Sequence, residues 1–213
     1  LYGGSGLALQ NSTTGTGNDN GTHIWVNSSG NGELLIQNRE NSSTRFFTND
    51  TERVRIQAGG GISFNGDTAA QNALSDYEEG SFTAAIGVDS GTDPSQNAYT
   101  HRYAYYRKIG KIVHWKVDIK FGAISQTGSG NAVVMGLPFT SLNDSLAYGC
   151  TFSSGYSQNW GTDNFPTAGY MMVNDTKCYL MNNSVSDGNS YVNSANIVNG
   201  TRLICGGTYM TDS

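Results

Sequence analysis

The chain has 213 residues, of which 28 are Gly, 23 Ser, 20 Thr and 22 Asn, so 93 positions favour turns and local hydrogen bonds over helices. Only 14% of residues are charged, against about 25% in an average soluble domain, and the net charge is −5. A helical bundle, a coiled coil and a solvated charged tail are excluded, nucleic acid is not an expected partner, and no apolar run is long enough for membrane insertion.

Composition changes near residue 75. All five Lys, all three Cys, all five Met and eleven of the twelve Tyr lie beyond it. Before it, a Gly/Ser/Thr/Asn stretch from Gly3 to Thr22 holds only Leu7, Ala8 and Leu9 as apolar residues. Short strand-like runs follow: HIWV (23–26), ELLIQ (33–37), TRFFT (44–48), ERVRI (52–56) and GISF (61–64), separated by turn-rich segments. That cadence predicts successive β-hairpins. Each run offers two or three apolar residues, too few for a core of its own. Residues 1–75 are therefore expected to be a stem in which several chains share a core, with a homotrimer as the preferred closed ring. The segment AAQNALSDYEE (69–79) is expected to be a short helix or a connector, with Glu78 and Glu79 as a hinge.

The later part reads as a β-sandwich. From Val113 to Phe121 apolar residues alternate with His114, Lys116, Asp118 and Lys120, the period-two signature of a half-buried strand. A Tyr-rich strand, 99–106, precedes it, and RKIGK (107–111) supplies the turn. Further strands are expected at 81–88, 131–135, 146–152, 168–173, 176–181 and 201–208, with Asn174–Asp175 as a hairpin turn.

Candidate chemistry is sparse. Adjacent carboxylates such as Glu78 and Glu79 diverge in any regular structure, so they do not form a glycosidase pair. No Gly-x-Ser-x-Gly elbow occurs, and His23, His101 and His114 are scattered. No metal-ligand spacing is present, and no catalytic residue, metal or cofactor is assigned. Cys150, Cys178 and Cys205 form no Cys-x-x-Cys pair and read as reduced thilos of a chain folded in a reducing cytosol. The segment SSGYSQNWGTDNFP (153–166) is expected to be a contact loop. Tyr156, Asn159, Trp160, Asp163 and Phe165 are the candidate receptor contacts, the alternative being that Trp160 or Phe165 plugs the sandwich. Six basic residues fall within 102–120, and Arg102, Lys108 and Lys111 form a secondary candidate patch. The competing reading of that cluster is an ordinary solvated strand face.

Several segments together resemble bacteriophage tail-fibre proteins, especially of the marine and cyanobacterial type. TERVRIQAGGGISFNG (51–66) resembles a fibre-stem segment, and LSDYEEGSFTAAI (74–86) the junction into a distal domain. YRKIGKIVHWKVDI (106–119), GLPFTS (136–141) and GGTYMT (206–211) resemble successive distal-domain elements in the same order. The resemblance implies a homotrimeric virion protein, assembled in the host cytoplasm and joined to the rest of the tail fibre. A β-rich intertwined stem would carry a β-sandwich head, residues 76–213, that recognises a host surface glycan or protein. The chain begins at Leu1 rather than Met and lacks a signal peptide, so a fragment of a longer protein is expected; as a departure from the family, no C-terminal self-cleaving chaperone domain is found in it. No catalytic motif of the depolymerase tailspikes is present. A non-enzymatic adhesin is therefore expected, with a polysaccharide hydrolase using carboxylates at subunit clefts as the alternative.

Overall fold

The computed structural model describes residues 6–17, 19–27, 32–94, 99–124, 127–144, 151–161, 165–184 and 188–212. Contacts divide the chain into two units, Leu1–Ser75 and Asp76–Ser213.

The hairpin cadence of the first unit forms two three-stranded antiparallel sheets. One joins β1 (Gly6–Leu9), β2 (Thr22–Val26) and β3 (Leu34–Asn38); the other joins β4 (Thr44–Thr48), β5 (Thr51–Ile56) and β6 (Ile62–Phe64). Strand β1 holds Leu7, Ala8 and Leu9, the apolar residues of the Gly/Ser/Thr/Asn stretch, for which no strand was expected. Asn49 and Asp50, with φ of 49° and 53°, make the two-residue turn between β4 and β5. Because paired residues share a face, the register gathers the apolar side chains on one side of each sheet. Leu7, Ile24 and Ile36 form one row of the first sheet, and Val26 lies opposite Leu34 on the same side. In the second sheet Val54 is flanked by Phe46 and Phe64, and Ile56 lies opposite Ile62. Nothing among the described residues covers these faces: Leu34 is 64% exposed, Ile36 61% and Phe64 52%. No described hydrophobic residue of this unit is buried.

The second unit contains two antiparallel sheets packed face to face. One runs in the order β12 (Thr151–Trp160), β16 (Ile197–Met210), β10 (Ile112–Phe121), β9 (Tyr99–Ile109), β7 (Tyr77–Ser81). The other runs β13 (Ala168–Met171), β14 (Cys178–Ser184), β11 (Ala132–Met135), β8 (Ala85–Val88), and β15 (Gly188–Tyr191) also pairs with β14. The core lies between them: Val113, Trp115, Val117, Ile119 and Phe121 from β10 meet Ile86, Val134, Met171 and Leu180 from the opposite sheet. A β-sandwich is thus the architecture of this unit. Gly110, with φ of 56°, turns the chain between β9 and β10, and Asn174, with φ of 54°, turns it between β13 and β14.

Four local expectations change. The single strand expected at 81–88 is two strands in different sheets. The chain crosses between sheets at Phe82–Ala84, where the Phe82 N–H still bonds to the Ala104 carbonyl at 3.1 Å. Only Ala70–Asn72 of the 69–79 segment is helical, a single 3-10 turn. Glu78 and Glu79 lie within strand β7 rather than at a hinge. The expected contact loop 153–166 is largely strand β12, whose register shifts between Ser154 and Tyr156 and again between Gln158 and Trp160. Residues 146–150 of the strand expected at 146–152 lie outside the described residues. No helix among the described residues is long and apolar enough to cross a membrane.

Candidate functional site

Strand β12 edges one sheet of the sandwich and β13 edges the other. Between them opens a cleft of about 440 Å³, lined by Ser154, Gly155, Tyr156, Ser157, Phe165, Pro166 and Thr167. Tyr156 is 44% exposed and Phe165 38%, so two aromatic rings face solvent among small hydroxyl side chains. The extra residue at Gly155 is a β-bulge, which re-aims the side chains that follow it.

Tyr156 is braced from the neighbouring strands. The Arg202 guanidinium lies 5.6 Å from the Tyr156 ring centroid. The same group donates two hydrogen bonds to Asp118, Nε to Oδ1 at 2.9 Å and Nη2 to Oδ2 at 2.8 Å. Such a two-pronged pair fixes the plane of the guanidinium as well as its position. The hydrogen bonds from Arg202 hold the Asp118 carboxyl below its ordinary value, against the opposing pull of burial. Asp118 in turn raises Arg202. Neither residue was expected at the site, because 84 positions separate them and only the β10–β16 register brings them together.

The other expected contacts divide. Trp160 is 5% exposed and belongs to the core, its indole N–H donating to the Arg202 carbonyl at 3.2 Å. It is not a surface contact of this chain: the second bulge of β12 turns it inward. Asn159 sits at that bulge with φ of 55°, and its carbonyl accepts from the Thr201 hydroxyl at 2.6 Å. Asp163 lies outside the described residues.

Arg102, Lys108 and Lys111 do not form one patch. Alternation along β9 sends Arg102 and Lys108 to the inner side and Arg107 to the outer side. Lys108 is 2% exposed, ion-paired with Asp76 and 5.3 Å from the Phe139 ring centroid. Arg102 donates from Nε to the Ala84 carbonyl at 2.7 Å and lies over Tyr99. Lys111 stands apart in the turn before β10.

The acidic residues of β7 are engaged on opposite faces. Glu78 accepts from the Tyr106 hydroxyl at 3.0 Å, which raises the Tyr106 phenol. Glu79 accepts from Tyr77 at 2.8 Å and Arg107 at 3.0 Å, and these bonds lower its carboxyl. Among the described residues no three His, Cys, Asp or Glu side chains gather as a metal site would require. Cys178 and Cys205 are buried in the sandwich core.

The fold and site together define an all-β protein whose sandwich unit carries an aromatic cleft at its open edge. No protein-family model and no curated protein matches the chain. Among solved structures it is similar to the crystal structure of the Dettilon tailspike protein, with a TM-score of 0.49 and 18% identity over 63% of this chain. The match covers 24% of that protein, so the chain spans about a quarter of its length.

Proposed function

We propose that the chain is the distal part of a phage tail adhesin. Residues 1–75 act as a stem that joins three copies and the rest of the fibre, and residues 76–213 act as the head that attaches to a host surface. The observation that carries this reading is the uncovered apolar face on each sheet of the first unit. A chain with exposed aliphatic rows in one unit and a core of its own in the other is suited to assembly through one part and recognition through the other. The order of the five tail-fibre-like segments supports the same reading.

In this reading the Tyr156–Phe165 cleft is the receptor-binding site. Aromatic faces cover the apolar side of a pyranose, and Ser154, Ser157 and Thr167 supply hydrogen-bonding hydroxyls. Three heads would present three such clefts, so individually weak contacts gain strength by multivalency.

The test is a solution mass, followed by binding of labelled protein to a panel of bacterial cells and surface polysaccharides. A mass of three chains is expected, with binding that Tyr156→Ala and Phe165→Ala reduce together. A single-chain mass would overturn the shared stem. Binding untouched by both variants would overturn the choice of cleft, and release of new reducing ends would overturn a purely adhesive role.

A further inference from the structure

Tyr156, which lines the cleft, stands on the outer face of the β12–β16–β10–β9–β7 sheet, and that face has a distinct charge pattern. Its cations are Arg107, Lys116, Lys120 and Arg202, and its acids are Glu79 and Asp118. Arg107 is neutralised by Glu79 at 3.0 Å and Arg202 by Asp118 at 2.8 Å. Lys116 and Lys120 have no acidic partner among the described residues, although the whole chain carries a net charge of −5.

The register places Lys116 between Tyr105 and Gly206, and Gly206 beside Ser153. The surface above Gly206 is therefore empty of side chain. It must stay so, because a Cβ there would approach the Trp115 carbonyl oxygen to 2.6 Å. His114 and Thr208, hydrogen-bonded at 2.9 Å, form one wall of this trough. Asp118, Ile204 and Tyr156, one row across three strands, form the other. Tyr105 is 59% exposed, so an aromatic ring stands beside the unpaired lysine.

We infer that this trough recognises an acidic saccharide, its carboxylate held by Lys116 and its sugar ring lying over Gly206 against Tyr105. Lys120, two alternations further along the same strand, receives a second carboxylate of the same polymer. The inference rests on the adhesin reading and extends it, because it names the class of glycan that reaches the cleft through Tyr156. Two free cations set among hydroxyls and phenols suit a sparsely charged, hydroxyl-rich polymer. They do not suit the dense phosphates of nucleic acid, whose binding needs many neutralised phosphates.

The experiment compares retention of uronate-bearing polysaccharides, polygalacturonate, alginate and hyaluronate, with their carboxyl-reduced forms and with oligothymidylate. Wild-type protein is expected to hold at least one acidic polymer about tenfold more tightly than its reduced form, with exposed ion pairs contributing little singly and more in three copies. The double variant Lys116→Gln/Lys120→Gln should erase that preference, so that it holds the acidic polymer and its reduced form equally. Equal binding of acidic and reduced forms, binding of none of the acidic polymers, or tighter binding of oligothymidylate would each overturn the inference. So would a changed oligomeric mass in the double variant, which would assign the face to contacts between copies. Failure of the underlying adhesin reading registers separately, as a single-chain mass or as cell binding indifferent to Tyr156→Ala and Phe165→Ala.

Discussion

The two units spend their apolar residues differently. Among the described residues, the first exposes twelve large hydrophobic side chains, every one aliphatic or Phe, and buries none. The second exposes ten, of which five are Tyr, and buries a core drawn from both sheets of its sandwich. Aliphatic side chains cannot hydrogen-bond to water, so a face built from them gains stability only by being covered. Tyr pairs an apolar ring with a polar tip, which suits a surface that must stay wet until a ligand arrives. That difference is what the proposed division, assembly through the first unit and recognition by the second, would require.

The sharpest way to break that contrast is to charge the first unit's apolar faces. Ile36→Asp with Phe64→Asp would place carboxylates where copies of the chain are proposed to meet, and an uncompensated buried charge costs several kcal/mol. Loss of the multi-chain mass is expected in sedimentation, with the far-ultraviolet signature of the second unit retained. A variant of unchanged mass would mean that these faces are not the assembly surface. The next effect in size separates the two aromatic residues of β12. Trp160→Ala removes a core side chain and should cost about 3–5 kcal/mol in thermal or denaturant unfolding. Tyr156→Ala should stay within about 1 kcal/mol, its effect falling on binding instead. Similar losses of stability for both would contradict the inward placement of Trp160.

Much of the architecture was legible wherever one physical signal acted alone. Period two from Val113 to Phe121 places every buried residue of that strand, and the turn signals at Gly110 and Asn174 stand where the chain reverses. Legibility failed where signals interfered. In β12 two bulges shift the phase of the alternation, so a strand carrying Tyr156 outward and Trp160 inward shows no clean period and resembles a contact loop. Lys108 read as a surface cation because its charge dominates its local context. Its burial depends on Asp76 and Phe139, both more than two dozen positions away in sequence. The Arg202–Asp118 brace beneath Tyr156 was invisible for the same reason, since no local pattern reports a register between distant strands.

That brace supplies the smallest and most specific effect, and its sign follows from the carboxyl. Arg202 holds Asp118 below its ordinary value in the folded chain, whereas in the unfolded chain the group titrates near 3.9. A carboxyl depressed in the folded state contributes stability that is fully present above the unfolded value and is lost as pH falls through the folded one. Thermal stability of the wild type should therefore drop as pH falls below about 4, and part of that drop should be missing in Asp118→Asn. Glu52, Asp67 and Glu79 are lowered as well, so the wild type will not be flat in any case, and the difference between the two proteins is the quantity to read. Receptor binding should weaken over the same interval, because protonated Asp118 no longer anchors the guanidinium against Tyr156. Identical acid limbs for wild type and Asp118→Asn would show that Arg202 is held in place by something other than this pair, and that Tyr156 owes its orientation to the Gly155 bulge alone.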